Sequence, residues 1–371
     1  MKKRASTSHL RPTVIGTGLV ALDVVCNTQS QSVPAFFAGG TCGNVLAILS
    51  YLGWRAMPIS RLSHGIHTDR LIADLHQWNV DTSLVTLTED GSTPVIFHRI
   101  GRRANGEPFH SFSWRCPECG HYLPGYKPVT GAGAELLTKT LPGCQVFFFD
   151  RVSRGSLTLA SEAFKHGAVV VFEPSGVGDP TLFREAWSIA HIVKYSHERL
   201  QDIADLGLKT TDKENVLLEI ETLGADGLRY RSVLPEAKTR GWQEFAALQL
   251  DDLKDAAGSG DWCTAGILSK IARGGVKGLR RIASKSLQDA IRFGQAAAAW
   301  NCAFEGARGG MYRFDASSFQ THVKAILARK AIHPADQAHA EQSSQKLTHV
   351  CPACHDAGIV LHASRRKGHA S

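Results

Sequence analysis

The chain of 371 residues is predicted to be an α/β protein of three layers, in which a mainly parallel central sheet lies between two layers of helices. Two observations predict this fold class: short apolar runs recur along the chain, and segments with helical apolar periodicity lie between them. Hydrophobic residues make up 43% of the sequence and charged residues 20%, which allows a substantial core. Because no apolar run reaches the roughly 18 to 20 residues of a membrane span, no membrane partner is expected.

Four segments are predicted strands, because each is short and almost wholly apolar, as parallel strands buried on both faces are. They are residues 14–20, 146–149, 168–172 and 216–220. Four segments with apolar residues at helical spacing are predicted helices. They are residues 44–54, 157–166, 262–272 and 319–329.

The chain carries a formal net charge of +8, but its basic residues are dispersed. Nucleic acid is therefore not an expected partner, whereas small phosphorylated molecules would be attracted by the same field. Near the N-terminus, Asp23 interrupts an apolar stretch and no small-residue cleavage site follows. We expect a first core strand there rather than a signal peptide, and hence a cytoplasmic location.

The stretch Asp255-Ala-Ala-Gly-Ser-Gly-Asp261 opens the predicted helix 262–272 with small residues and an acid. Small residues let backbone N–H groups at a helix start approach an anion closely, and the helix dipole favours negative charge there. A carboxylate beside such a cradle can accept the proton of a hydroxyl that attacks a phosphoryl group. The local sequence alone leaves open a plain glycine-rich turn with an acidic N-cap.

A second element, Gly39-Gly40-Thr41-Cys42-Gly43-Asn44, precedes the first long helix, with Asp23 further upstream. Together with the stretch that ends at Asp261, it resembles the ribokinase-like (PfkB) carbohydrate kinase family over roughly residues 12–313. The resemblance implies a ribokinase-like three-layer sandwich with a small β lid. It also implies ATP-dependent phosphotransfer to a hydroxyl of a small carbohydrate or related polyol or nucleoside.

The resemblance also assigns roles to individual residues. Asp261 is implied as the catalytic base, and the backbone amides beside it as an anion hole: Ala257, Gly258, Ser259 and Gly260. The implied sugar-binding residues are Asp23, Gly39, Gly40 and Asn44. The implied nucleotide-binding residues are Thr222, Gly224, Gly227 and, beside the adenine, Gly306. ATP and Mg²⁺ are the implied cofactors, and a monovalent cation is a further candidate.

One stretch departs from the family pattern. Family members usually carry Asn-x-x-Glu where this chain has Lys194-Tyr-Ser196-His-Glu198-Arg199, so that serine replaces asparagine and Glu198 stands one place early. Lys194 and Glu198 are the candidates to serve the nucleotide and its magnesium. Because of this departure, the alternative is a catalytically weakened sugar- or nucleotide-binding regulatory protein.

Two arginines are candidate acceptor contacts, because guanidinium groups bind carboxylates and phosphates in pairs of hydrogen bonds. Arg99 lies in the expected lid and Arg151 follows a predicted strand. They would suit an acidic or phosphorylated acceptor. Ordinary surface ion pairs are the competing interpretation.

Two Cys-Pro-x-Cys pairs, Cys116/Cys119 and Cys351/Cys354, have the spacing of zinc knuckles. Four thiolates complete one closed tetrahedral zinc site, which is structural because it has no open position. The alternatives are a redox dithiol and two separate sites that use His121 or His355. A shared zinc could form within one chain or across a homodimer.

The cysteine pairs also shape the expected domains. A kinase domain is expected over residues 12–315, with a lid and its cysteine-bearing insertion at about 92–130. A C-terminal helix and cysteine-bearing tail are expected over residues 316–371.

Overall fold

In the computed structural model, the described residues are 11–27, 34–103, 108–208, 214–248, 253–329, 351, 353 and 354. They form a nine-stranded sheet and a four-stranded sheet. The strands are β1 Thr13–Thr17, β2 Ala21–Asn27, β3 Ala35–Gly39, β4 Arg55–Leu62, β5 Val85–Leu87, β6 Val95–Arg102, β7 Pro108–Ser113, β8 Val146–Phe149, β9 Val169–Phe172, β10 Ile192–Ser196, β11 Leu218–Thr222, β12 Leu228–Ser232 and β13 Gln243–Phe245. The α-helices are α1 Thr41–Tyr51, α2 Ile66–Gln77, α3 Gly131–Leu137, α4 Arg154–Lys165, α5 Pro180–Ile189, α6 Leu200–Asp205, α7 Ser259–Ile271, α8 Gly275–Leu279, α9 Ser284–Cys302 and α10 Ala316–Leu327.

The central sheet has the order β13-β12-β11-β10-β9-β8-β1-β4-β5. Its strands from β11 to β5 pair in parallel, and β12 and β13 extend it antiparallel. The second sheet, with the order β3-β2-β6-β7, is the lid. The prediction of a mainly parallel sheet with a small β lid is confirmed.

Helices cover both faces of the central sheet. In β8, Val146 and Phe148 enter one buried apolar cluster, whereas Phe147 and Phe149 enter the other. This alternation follows from the two-residue repeat of a strand. It explains why the sheet strands are almost continuously apolar.

The observed helices begin earlier than the apolar stripes predict. Helix α4 begins at Arg154, three residues before the predicted start, because Ser153 and Ser156 cap each other reciprocally. Helix α10 begins at Ala316, where Asp315 accepts a hydrogen bond from the Ser318 backbone. Apolar periodicity marks only the buried face, so it misses a polar first turn.

Two predicted strands end at residues other than those expected, and three begin one or two residues from the predicted start. The first strand ends at Thr17 rather than at residue 20, because Gly18 has a φ of 142° and turns the chain. Strand β11 runs to Thr222 rather than to residue 220, since it pairs with β10 as far as Ser196. In the described part of the chain, no helix has both the length and the apolar character needed to cross a bilayer.

Candidate active site and four-cysteine cluster

Asp261 lies in the first turn of α7, at the carboxyl edge of the central sheet. The preceding Gly258 has a φ of 72°, and a Cβ there would lie 2.2 Å from the Ala307 carbonyl oxygen. Glycine therefore permits the close approach of two loops that forms this helix start. Asn44 Nδ2 donates a hydrogen bond of 2.8 Å to Asp261 Oδ2.

The pKa of Asp261 is raised well above its ordinary value. Removal from bulk water is the main cause, and the negative charge of Glu173 adds to it. The hydrogen bond from Asn44 and the positive charge of Lys194 act in the opposite direction. A carboxylate with a raised pKa accepts a proton more readily than an ordinary one.

Glu173 follows β9 and was missed by the sequence analysis. Its carboxylate accepts hydrogen bonds of 2.6 Å from Lys194 Nζ on β10 and from Thr264 Oγ1 on α7. Burial alone would lower the pKa of Lys194, but the adjacent Glu173 holds it above its ordinary value. The buried pair thus fixes a positive charge beside the start of α7.

Another wall of the site comes from the lid and from α1. Asp23 on β2 is buried against Gly39, where a Cβ would lie 2.0 Å from Asp23 Oδ2. Gly40, with a φ of 76°, stands directly before α1, which carries Asn44. Burial raises the pKa of Asp23 to about 7, although Arg308 lowers it and Asp74 raises it further.

Two oxygen atoms on this wall, Asp23 Oδ1 and Asn44 Oδ1, are buried and accept no hydrogen bond from the described residues. A buried acceptor without a donor is costly unless a ligand supplies one. These atoms therefore suit a ligand that carries hydroxyl groups.

Asp150, at the end of β8, was also missed by the sequence analysis. Its Oδ1 accepts the backbone N–H of Leu19 at 2.9 Å, and its Oδ2 accepts Arg151 Nη1 at 2.9 Å. Burial raises the pKa of Asp150 to about 6, against the lowering effect of Arg151. Arg151 therefore lies at the site, but its guanidinium group is paired with Asp150.

The loop before α7 is held from several sides. Asp255 is buried and accepts the backbone N–H groups of Ala257 and Gly306, each at 2.9 Å. Ser259 N–H donates to the Ala256 carbonyl oxygen. Of the four predicted anion-hole amides, those of Gly258 and Gly260 carry no such bond within the described ranges.

The loop that contains Gly306 is bound to its neighbours by side-chain hydrogen bonds. Asn301 Nδ2 lies 3.1 to 3.3 Å from the carbonyl oxygens of Ala257, Gly306 and Ala307, and so ties this loop to the start of α7. Arg308 is buried, donates to Asp74 Oδ2 at 2.7 Å and also contacts the Ala38 carbonyl oxygen. The side chain of Arg308 thus lies beside Asp23, which the sequence analysis did not foresee.

The remaining predicted residues fall into two groups, those at the same edge of the sheet and those away from it. Thr222 ends β11 opposite Ser196, and Gly224 and Gly227 form the turn to β12 with φ values of 60° and 107°. Glu198 is exposed in the turn after β10. Arg99 is exposed on β6 and alternates with the buried His98, so it points to the other face of the lid.

Residues 144–312 match the family model described as pfkB family carbohydrate kinase. This part of the chain is therefore similar to the ribokinase-like family. No curated protein sequence matches the chain.

Solved structures of the family share the fold at low sequence identity. A fructokinase with bound ATP from Xylella fastidiosa superposes with a TM-score of 0.65 at 17% identity, covering 86% of this chain and 99% of its own. A nucleoside kinase from Burkholderia thailandensis in complex with inosine gives 0.62 at 16% identity, covering 85% and 98%. A ribokinase from Arabidopsis thaliana complexed with ribose and ATP gives 0.61 at 17% identity, covering 85% and 99%. The chain therefore has the three-layer ribokinase-like fold.

The four knuckle cysteines form one cluster within the chain. Cys116 Sγ lies 3.6 Å from Cys354 Sγ, and Cys119 Sγ lies 3.6 Å from Cys351 Sγ. All four sulfur atoms lie within 4.8 Å of one another. Tetrahedral zinc with Zn–S bonds of about 2.3 Å requires sulfur atoms roughly 3.8 Å apart, so the cluster could hold such an ion. His121 is exposed, and His355 lies outside the described residues.

Proposed function

We propose that the chain is an ATP-dependent phosphotransferase that transfers the γ-phosphate of ATP to a hydroxyl group of a small carbohydrate, polyol or nucleoside. The observation that carries this proposal is the position of Asp261. It stands at the start of α7, is held by Asn44, and lies close to the buried positive charge of Lys194.

In this proposal Asp261 accepts the proton of the attacking hydroxyl. Its raised pKa suits this task, because a carboxylate with a raised pKa is a stronger base than an ordinary one. The N-terminus of α7 and the amides of Gly258 and Gly260 face the transferring phosphoryl group and stabilise its charge. Lys194 adds a positive charge that the fold holds in place.

The acceptor is expected to carry several hydroxyl groups. Asp23 Oδ1 and Asn44 Oδ1 are buried acceptors without a donor, and a sugar or ribosyl group would supply O–H donors to both. Gly39 and Gly40 allow the close approach of Asp23 and of the Leu19 backbone, and so hold Asp23 in this position. An acidic acceptor has less support, because Arg151 pairs with Asp150 and Arg99 is exposed on the other face of the lid.

ATP and Mg²⁺ are the proposed cofactors. The carboxylates of Asp261 and Glu173 are close enough for one to raise the pKa of the other, and oxygen ligands of this kind suit Mg²⁺ held mainly by phosphates and water. When bound, Mg²⁺ neutralises charge on the phosphates. Thr222, Gly224, Gly227 and Gly306 are the proposed nucleotide contacts, and a monovalent cation stays a prediction.

We also propose one structural zinc ion per chain in the four-cysteine cluster. The paired Sγ–Sγ distances support a shared site over two separate sites. They are also far longer than a disulfide bond of about 2.05 Å. Such a zinc would join the insertion after β7 to the tail beyond residue 315.

The proposed activity is tested by incubating the protein with ATP, Mg²⁺ and one of three acceptors: ribose, fructose or inosine. We expect ADP release that depends on one or more of them. If ATP and an acceptor both bind but no acceptor stimulates ADP release, the regulatory alternative is favoured. That alternative rests on the stretch from Ser196 to Arg199, which departs from the family pattern.

A further inference from the structure

The segment after the first cysteine pair runs from the four-cysteine cluster directly into the candidate active site. At the cluster, Cys116 N–H donates to the His121 carbonyl oxygen and Leu123 N–H donates to the Trp114 carbonyl oxygen. Cys116 and Leu123 are both buried in the larger core cluster. The start of the segment is therefore fixed at the cysteines.

The next residues are fixed to the base of the lid. Val95 N–H donates to the Pro124 carbonyl oxygen at 3.1 Å, and Ser92 Oγ donates to the Gly125 carbonyl oxygen at 2.6 Å. Beyond Tyr126, Arg61 Nε donates to the Pro128 carbonyl oxygen at 3.1 Å. Hydrogen bonds to the backbone of residues before and after Tyr126 thus fix its position.

The Tyr126 ring covers a small apolar cluster of its own, formed by Leu19, Ala21 and Ile96. Ala21 lies two residues before Asp23 on β2, and Ile96 pairs with Asp23 across the lid. These residues share one face of the lid sheet. Tyr126 consequently packs on the face of the lid sheet that also carries Asp23.

Tyr126 also lines a small cavity together with Gly18, which lies against Asp150, since a Cβ at Gly18 would lie 1.8 Å from Asp150 Oδ1. Burial raises the pKa of the Tyr126 hydroxyl, and the negative charge of Asp150 raises it further, with a smaller effect of Cys42. The hydroxyl makes no hydrogen bond to the described part of the chain. Tyr126 therefore lies near Asp150 and offers a hydroxyl donor and an apolar ring.

We propose that Tyr126 contacts the acceptor and helps to select it, and that the metal-loaded four-cysteine cluster positions Tyr126. This inference rests on the proposed phosphotransfer function. The proposal gives the four-cysteine cluster a positioning role. The motif alone does not predict this role, because a closed four-thiolate site takes no part in the chemistry itself. The apolar ring favours acceptors with a flat or apolar portion, such as nucleosides, over free sugars.

The test compares Tyr126→Ala and Tyr126→Phe with the matched control Tyr122→Ala. Tyr122 lies in the same segment but is 70% exposed and stacks on Arg115. With inosine and ribose as acceptors, we expect Tyr126→Ala to raise the acceptor KM about tenfold or more, which corresponds to the loss of one good contact. The KM for ATP should not change, and Tyr122→Ala should behave like the wild type. An unchanged acceptor KM, or an equal rise in the KM for ATP, would overturn the contact.

The positioning step is tested separately, without turnover. In Cys354→Ser, or after zinc removal by a chelator, amide hydrogen exchange at residues 124–128 should accelerate several-fold while exchange in α7 stays the same. If exchange in this segment does not respond, the cluster does not position Tyr126. If the wild type phosphorylates neither acceptor, the proposed function fails for them. Calorimetric binding of inosine to wild type and Tyr126→Ala then decides whether Tyr126 contacts it.

Discussion

At the scale of single residues, Asp261 and Glu173 show how one carboxylate tunes another. Glu173 adds negative charge beside Asp261 and raises its pKa, while its ion pair with Lys194 limits the effect. A base must be deprotonated to act, so the rate should fall as the pH drops through the pKa of Asp261. The acid limb of the pH–rate profile should therefore lie above the range of an ordinary carboxyl group.

The variant Glu173→Gln tests this coupling. The substitution removes a negative charge and leaves the positive charge of Lys194 unpaired. Both changes should lower the pKa of Asp261 and move the acid limb of the kcat/KM profile to lower pH. The measurement is the initial rate from pH 5 to pH 9 with the best acceptor. Glu162→Gln is the control, since Glu162 pairs with Lys165 on the surface of α4. An acid limb that stays in place, or moves to higher pH, would refute the coupling.

Sequence reasoning found part of this site and missed the rest for a physical reason. Asp23, Asn44 and Asp261 belong to motifs with recognisable spacing. Asp150 and Glu173 are single acids that follow strands, and nothing local distinguishes them from surface carboxylates. Only the parallel sheet, which brings the carboxyl ends of β8, β9 and β10 to one edge, places them beside Asp261.

At the scale of elements, α7 and α9 pack closely through glycines. A Cβ at Gly266 would lie 2.9 Å from Gly294 Cα, and a Cβ at Gly294 would lie 2.7 Å from the Cys263 carbonyl oxygen. Helix α7 carries Asp261 in its first turn. This contact therefore sets the position of the helix that carries Asp261 against its neighbour.

The variant Gly294→Ala should push the two helices apart. Because the obstacle is backbone, we expect a loss of about 1–3 kcal/mol in the free energy of unfolding, measured by urea denaturation. Gly278→Ala in α8 is the control, since a Cβ there meets no atom within 4 Å. Equal stability of the two variants would contradict the close packing of α7 on α9.

Strands and helices could be predicted from the sequence where burial alone determines which residues are apolar. Residues 146–149 and the interior of α7 are apolar because the sheet and the helix layer enclose them. Element ends depend on caps and turns instead, as at Ser153, Asp315 and Gly18. These positions follow hydrogen bonds and φ angles, which apolar periodicity does not report.

At the scale of the whole molecule, the four-cysteine cluster joins parts of the chain that are far apart in sequence. The knuckle spacing predicted a shared zinc site, but 231 residues separate Cys119 from Cys351. No spacing rule says that such distant segments meet, and only the folded lid and tail show it. The packing of this segment on the face of the lid that carries Asp23 could likewise not be predicted from the motif.

Metal analysis of the purified protein tests the cluster. We expect one zinc per chain, loss of that zinc in Cys351→Ser, and a lower thermal unfolding midpoint in the same variant, because metal binding contributes to folding. Cys144→Ser serves as the control for zinc content, since Cys144 lies in the other buried apolar cluster and is not one of the four cysteines. A wild-type protein without zinc, or Cys351→Ser with full zinc content, would contradict the proposal.

The central claim is that Asp261 takes the proton of the acceptor hydroxyl while the start of α7 holds the phosphoryl group. The most direct test is acceptor-dependent ADP release by the wild type and by Asp261→Asn, which keeps the shape of the side chain and can still bond to Asn44. We predict that kcat falls at least about a hundredfold in the variant, the lower range for loss of a general base, while ATP still binds. A variant that retains the wild-type rate would show that Asp261 is not the base.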